Sequence, residues 1–219
     1  MLSDIQRAVG DVDEVFARIN ADPDIRFVVS TGDLGNTGIR AELERFQLAL
    51  RGLAVPFFTT AGNHEMGAPP RIFHELFGAF NSHFVFRGVH FSFVDSGNAT
   101  IDPAVYDRLG VWLEEARDKT HVVCTHVPPL DPVGFRSGAF RSRNEAAKLV
   151  AMLGRGAVDA LFLGHIHSYY AFSSASIATY ISGGGGAVPE RFDGIGRHYL
   201  RVHASQNGGV HEVALVRID

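Results

Sequence analysis

The stretch "LFLGHIH" at residues 161–167 joins a buried-strand pattern to a pair of histidines. Three apolar residues run into Gly164, and His165 and His167 then follow on either side of Ile166. In an extended segment, residues i and i+2 point to the same side. We therefore expect both imidazoles to face one crevice while Ile166 turns back into the core.

Elsewhere in the chain, short β-rich segments alternate with amphipathic segments of helical period, and the last third is mostly β-rich. This order predicts a layered α/β domain with helices outside its sheets. The predicted helices lie at residues 37–52, 102–117, with Asp102 as N-cap, and 143–155. The predicted strands lie at residues 25–31, 55–61, 90–96, 121–126, 158–164, 177–182, 197–204 and 211–218.

Composition narrows the class of protein. The chain has 219 residues, of which 46% are hydrophobic, a pattern typical of one globular domain. Its formal charge of -4 gives no electrostatic signal for nucleic acid. A single cysteine excludes an internal disulfide and a Cys-rich zinc site. No apolar run reaches the roughly 20 residues of a membrane-spanning helix.

The same features bear on location and assembly. We expect no membrane association and, for the chain as given, a cytoplasmic location, or export if an upstream signal has been removed. The sequence contains nothing that predicts an oligomeric state.

Four predicted strands end in clusters of Asp, Asn or His, which are Asp33, the pair Asn63 and His64, His126, and the pair His165 and His167. Ligands of α/β sheets gather at the carboxyl ends of strands. Gly32, Gly62 and Gly164 precede these clusters and fit a backbone that turns sharply near an ion. The mixed N/O donor set suits Mn, Fe or Zn. The other histidines lack such neighbours and are interpreted as ordinary structural residues: His74, His83, His90, His121, His198, His203 and His211.

The order of four motifs, "GD", "GNHE", "THVPP" and "GHIH", followed by "YISGGGGA", resembles the calcineurin-like metallophosphoesterase superfamily. The motifs span most of the chain. The resemblance implies one domain over residues 1–219, built as a β-sandwich flanked by helices. It also implies a metal-dependent phosphoesterase with two divalent or trivalent metal ions.

The resemblance further implies a role for each matching residue. Asp33 would bridge the two ions, and His167 would belong to the first of them. Asn63, His126 and His165 would complete the second site. A hydroxide bridging the ions would attack phosphorus, and His64 would be the catalytic histidine.

The chain departs from the family pattern at its beginning. The first family motif is Asp-x-His, and here Asp4 is followed by Gln6 in the place of histidine. A glutamine amide oxygen is a weaker, uncharged ligand. Only three residues precede Asp4, so the first strand is predicted to be shortened. Three explanations stay open: a start assigned late, a trimmed chain, or a fold that tolerates the short strand.

Other residues bear on the substrate. The sequence has "GDLGNTG" where protein phosphatases of the superfamily have "GDxxDRG". This favours a phosphodiesterase or phosphomonoesterase acting on a small phosphoester, and of the two we expect a phosphodiesterase. Arg136, Arg141 and Arg143 in the loop after His126 are candidates for binding its phosphate.

An alternative of a different class is a metal-binding or scaffold domain of the same fold with weak or lost catalysis. Gln6 and the shortened first strand favour it. His64 and the retained ligand set favour the enzyme.

Overall fold

The computed structural model describes residues 1–134, 137–190 and 194–218. The helices are α1 Val12–Ala21, α2 Arg40–Ala49, α3 Pro70–Phe77, α4 Pro103–Glu115 and α5 Arg143–Arg155. The strands are β1 Val28–Ser30, β2 Phe57–Thr59, β3 Ser82–Phe86, β4 Val89–Val94, β5 His121–Thr125, β6 Ala160–Leu163, β7 Tyr169–Ser174, β8 Ile177–Ser182, β9 His198–Ser205 and β10 Gly209–Arg217. Short 3₁₀ turns lie at Gln6–Asp11, Leu50–Gly52 and Glu65–Gly67.

Six strands form the larger sheet, in the order β3-β4-β5-β6-β8-β7. Its four inner strands are parallel, and the edge strands β3 and β7 pair antiparallel. Parallel strands point their carboxyl ends to one edge, so the loops after β5 and β6 emerge side by side.

The second sheet of the sandwich is a layer of two separate pairs, the parallel pair β1-β2 and the antiparallel pair β9-β10. The first two residues of the chain connect these pairs. Leu2 N donates to Val29 O at 2.9 Å, and Leu200 N donates to Met1 O at 2.9 Å. The shortened first strand predicted from the sequence is confirmed, because only this two-residue extended segment lies between β1 and β9.

Successive side chains of a strand point to opposite faces of its sheet. The apolar side chains therefore form three layers, one between the sheets and one on each outer face. Phe91, Cys124 and Phe162 lie between the two sheets. On the outer face of the large sheet, Val123 and Leu161 pack under α4 and α5. The outer face of the small sheet packs against α1, α2 and α3. The molecule is therefore a β-sandwich flanked by helices, as the sequence predicts.

An open cavity of about 550 Å³ lies beside Met1, between the edges of β1 and β9. Phe27, Phe91 and Phe162 line it on the side of the core, and Val202 lines it along β9. The backbone N–H group of Leu200 faces Met1. The backbone polar groups of Val202 and Ala204 face the same side of β9, because the hydrogen-bonding direction alternates from one residue to the next along a strand. The cavity lies on the N-terminal side of Met1, in line with the segment Met1–Leu2.

The predicted helices 102–117 and 143–155 are confirmed as α4 and α5, and Asp102 accepts the capping bond from Ala104 N. α1 and α3 were not predicted. β1 covers three residues where the sequence predicts seven, because Ile25 to Phe27 form no ladder with β2. Among the residues that the structure describes, no helix is both long and apolar enough to cross a membrane.

Candidate metal centre

The predicted site residues converge at the carboxyl edge of both sheets. Asp4 follows the first extended segment, and Asp33 follows β1. Asn63 and His64 follow β2, and His126 directly follows β5. His165 and His167 follow β6. The structure brings all of these side chains and Gln6 into one cluster.

One part of the cluster is built on Asp4, Asp33 and His167, whose ligand atoms all lie within 4.8 Å of one another. Gln6 Nε2 lies among them, at 3.1 Å from Asp33 Oδ2 and 3.1 Å from His167 Nε2. His64 Nε2 lies 3.3 Å from the same amide nitrogen. The Gln6 amide therefore lies inside this part of the cluster, and its correspondence to the histidine of the family motif stays a prediction.

The other part of the cluster is built around Asn63. Its Oδ1 lies 2.9 Å from His126 Nε2 and 2.7 Å from His165 Nδ1. Asp33 Oδ1 lies 3.4 Å from His126 Nε2, so Asp33 faces both parts with its two oxygens. Asp33 therefore joins the two parts of the cluster.

Each of the four imidazoles is held by a backbone carbonyl on its far side. His126 Nδ1 donates to Thr31 O at 3.0 Å, and His167 Nδ1 donates to Val188 O at 3.0 Å. His165 Nε2 donates to Ser137 O at 2.9 Å, and His64 Nδ1 donates to the carbonyl of Asn36. A carbonyl can only accept, so it fixes the proton on the nitrogen facing it and directs the other nitrogen to the cluster. Metal-binding histidines are oriented in this way.

The backbone approaches the cluster very closely. A Cβ atom at Gly62 would lie 2.2 Å from Asp33 Oδ1, and one at Gly164 would lie 2.6 Å from Asp4 Oδ2. A side chain at either position would therefore collide with a carboxylate of the cluster, while the prediction that these glycines pass close to an ion stays a prediction. Asp4, Asp33 and His165 have positive φ values of 59°, 54° and 71°. Such φ values are uncommon outside glycine and cluster at functional sites.

A family model described as "Calcineurin-like phosphoesterase" matches residues 1–169. The chain belongs to this family. The calcineurin-like phosphoesterase described here is 29% identical over 171 residues to a probable cyclic nucleotide phosphodiesterase of Rhodopseudomonas palustris. That alignment covers 69% of this chain, and the chain spans 60% of the length of the relative.

Two solved structures share the fold of this phosphoesterase. The purple acid phosphatase PPD1 of yellow lupin matches with a TM-score of 0.75 at 13% identity, over 99% of this chain and 52% of the lupin chain. A dimetal phosphatase from Danio rerio matches with a TM-score of 0.68 at 11% identity, over 82% of this chain and 85% of that protein. At these identities the likeness establishes the fold. The donor set of the cluster fits divalent metal ions, as family membership implies.

Glu65 is a residue of this phosphoesterase site to which the sequence analysis gave no role. It is buried, and its carboxylate accepts from Asp33 N at 2.9 Å, Leu34 N at 2.9 Å and Gly62 N at 2.7 Å. The carboxylate joins the loop after β1 to the loop after β2. Its position within "GNHE" is the one sequence signal that could have identified it.

The buried charges of the cluster shift one another's pKa values. Burial raises the pKa of Asp4 to about 6, although His126 and His167 oppose the shift. Burial also acts to raise the pKa of Asp33, but attraction to His126 and His64 outweighs it and holds this pKa well below its usual value. Burial acts to lower the pKa of His126, but attraction to Asp33 outweighs it, and this pKa rises to about 9. An ion binding at His126 Nε2 therefore releases a proton.

The three predicted substrate arginines have different outcomes. Arg141 and Arg143 are exposed at the start of α5, and Arg141 N donates to Ala99 O at 3.1 Å. Arg136 lies outside the described residues. The neighbouring Ser137 contacts His165 through its carbonyl, so this loop reaches the cluster. Phosphate binding by the arginines stays a prediction.

Proposed function

We propose that the chain is a metal-dependent phosphodiesterase with a binuclear centre. The observation that carries this proposal is the orientation of the four imidazoles, each held by a carbonyl and directed at Asp33, Asn63 or Gln6. The relative in Rhodopseudomonas palustris supports the choice of a phosphodiester, since its name describes a probable cyclic nucleotide phosphodiesterase.

The proposed ligands divide between two positions. Asn63, His126 and His165 hold one ion, and Asp4, Gln6 and His167 hold the other, with Asp33 shared. Nitrogen and oxygen donors of this kind suit Mn, Fe or Zn. When bound, the ions supply Lewis-acid activation of a water nucleophile and neutralise charge at the phosphoryl group.

His64 is the proposed general acid. Its Nδ1 is fixed on the carbonyl of Asn36, and its Nε2 lies 3.7 Å from Asp33 Oδ2 and faces the cluster. As water adds to phosphorus and loses a proton to solvent, the P–O ester bond breaks and the protonated ring donates its Nε2 proton to the departing oxygen. The ring then regains a proton from solvent. The backbone N–H of His64 also donates to Asp33 Oδ1 at 3.0 Å and so orients the shared carboxylate.

The test compares hydrolysis of bis(p-nitrophenyl) phosphate, p-nitrophenyl phosphate and 3′,5′-cyclic AMP by wild type and His64→Ala. We expect diester turnover to exceed monoester turnover. His64→Ala should lower hydrolysis of 3′,5′-cyclic AMP, whose alkoxide leaving group needs the proton, by about 10²–10⁴-fold, and should lower hydrolysis of the p-nitrophenyl esters less. Elemental analysis should find the same number of ions per chain in both proteins. His211→Ala, on β10, is the matched control and should keep full activity. Undiminished turnover in His64→Ala would contradict the role of this histidine.

A second candidate is a metal-binding scaffold of the same fold. The observation that favours it is the Gln6 amide, which occupies the first position and brings no charge. If purified protein retains a single ion at Asn63, His126 and His165, and no phosphoester is hydrolysed with Mn²⁺ or Zn²⁺ in excess, the scaffold replaces the enzyme as the better account.

A further inference from the structure

A second group of histidines lies on the outer face of the large sheet, under α4. His83 on β3, His90 on β4 and His121 on β5 face this side, together with Ser92. The sequence analysis interpreted these histidines as ordinary because they are far apart along the chain. Strand pairing places them together. His121 begins β5 and His126 follows its end, so the group is about 16 Å from the metal centre along the strand.

Two imidazole nitrogens of this group face each other. His83 Nε2 lies 3.2 Å from His90 Nδ1. Two nitrogens bound to one zinc ion at about 2.0–2.1 Å in a tetrahedron are about 3.3–3.4 Å apart. The separation of the two nitrogens therefore matches one edge of a tetrahedral site without a change of fold.

The His83 ring is fixed by its surroundings. Its Nδ1 lies 3.0 Å from Ser92 Oγ, and Ser92 Oγ lies 2.8 Å from His121 Nε2. With Nδ1 donating to the hydroxyl, Nε2 presents its lone pair to His90. Trp112 stacks on the ring with centroids 5.5 Å apart and an angle of 15°. An imidazole oriented through its second nitrogen is the arrangement that metal ligands require.

A carboxylate lies beside the group. Glu115 Oε2 at the end of α4 lies 4.0 Å from His83 Nε2, and the Glu115 side chain is 56% exposed. An exposed glutamate is free to change rotamer, and such a change can bring its carboxylate towards the two nitrogens. We propose that His83, His90 and Glu115 bind one divalent transition-metal ion, of the class of Zn²⁺ or Cu²⁺, at a site separate from the phosphoesterase centre.

The chain has a single tryptophan, and that residue is stacked on His83. Protein kept in excess Mn²⁺, which binds mixed N/O sites least tightly among these ions, is titrated with Cu²⁺ while Trp112 fluorescence is followed. We expect saturable quenching that ends at one Cu²⁺ per chain for this signal. His90→Gln and Glu115→Gln should each weaken the apparent affinity at least tenfold, with unchanged hydrolysis of bis(p-nitrophenyl) phosphate.

His203→Gln is the matched control, because His203 also neighbours another histidine, His211, with ring centroids 6.2 Å apart. Its titration should follow wild type. Protein equilibrated with Zn²⁺ should also contain one ion more per chain in wild type than in His90→Gln. Quenching that never saturates, or a His90→Gln curve that follows wild type, would mean an adventitious ion only. If His90→Gln fails to fold, Glu115→Gln on the exposed end of α4 decides in the same way.

Discussion

Gln6 stands where the resemblance predicts a histidine, and the orientation of its amide bears on metal binding. Nε2 faces Asp33, His64 and His167, so an N–H group occupies the place of a lone pair. For an ion to bind there, the amide must turn its oxygen inward or leave. We therefore expect one ion to bind tightly at Asn63, His126 and His165, and a second to bind weakly.

Gln6→His should restore the second position. The imidazole supplies a stronger neutral donor than the amide. In calorimetric titrations of metal-free protein with Mn²⁺, we expect the weaker step to tighten at least tenfold in Gln6→His. The exposed Gln47 on α2 is the matched control, and Gln47→His should leave both steps unchanged. Two equally tight steps in wild type would show that Gln6 is already a full ligand.

His121 should make folding sensitive to acid. Burial, followed by the nearby His83 and His90, lowers the pKa of His121 to about 3, below the usual 6.5. Between these values the unfolded chain binds a proton that the folded chain does not. Stability is therefore complete above about pH 6.5 and falls as the pH decreases towards 3. The slope from this residue is at most about 1.4 kcal/mol per pH unit.

Urea unfolding of wild type and His121→Leu at pH 7, 6, 5 and 4 measures this effect. The free energy of unfolding should fall less steeply with acid in the variant. Other titrating groups, including those of the metal centre, are common to both proteins and cancel in the comparison. Parallel curves for the two proteins would contradict the assignment.

At the scale of elements, the loops after β1 and β2 depend on Glu65. Its carboxylate accepts from the backbone of Asp33, Leu34 and Gly62. A glutamine has one acceptor oxygen, and its NH₂ group would face N–H donors. Each buried donor left without a partner costs about 1–3 kcal/mol.

We expect Glu65→Gln to lower the free energy of unfolding by at least one such amount and to weaken metal binding, because Asp33 loses its support. Urea unfolding and calorimetry measure the two effects. Glu42 offers the matched control, since its carboxylate accepts from Thr37 at the exposed surface. Glu42→Gln should cost much less. Equal costs for the two variants would show that burial of Glu65 is unimportant.

Some elements and contacts could be predicted from the sequence and others could not, for physical reasons. α4 and α5 have apolar residues at helical period and a capping residue, so the sequence alone specifies them. The convergence of Asp33, Asn63, His126 and His165 follows from the rule that strand ends share an edge. The amide orientation of Gln6 and the role of Glu65 were not predictable, since both depend on atoms about thirty residues away. The group of His83, His90 and His121 depends on strand register.

At the scale of the whole molecule, the cavity beside Met1 is a gap in the second sheet. Met1 places its amino group there, bonded to Leu200 O at 2.6 Å, and burial lowers the pKa of that group to about 5. The edges of β1 and β9 face each other across this gap. Beside it, the single segment Met1–Leu2 bonds to both edges, so the gap has the width of one strand. An extended apolar segment joined before Met1 would fill it.

We expect an added Val-Ile-Val-Val segment before Met1 to raise the melting temperature by several degrees, as about 1–2 kcal/mol does in a protein of this size. The added residues cover the aromatic side chains and replace the buried amino terminus with a peptide group. A Gly-Ser-Gly-Ser extension of equal length is the control, and calorimetric melting is the measurement. Equal melting temperatures for both extensions would show that the gap does not accept a strand.

Cys124 lies between the two sheets with no exposed surface, and it is the one sulfhydryl of the chain. Burial raises its pKa to about 12, so almost no thiolate exists at neutral pH. An alkylating reagent can react only during moments when the sheets part. The rate at which Cys124 is alkylated therefore measures how often the sandwich opens, and this measurement needs no engineered label.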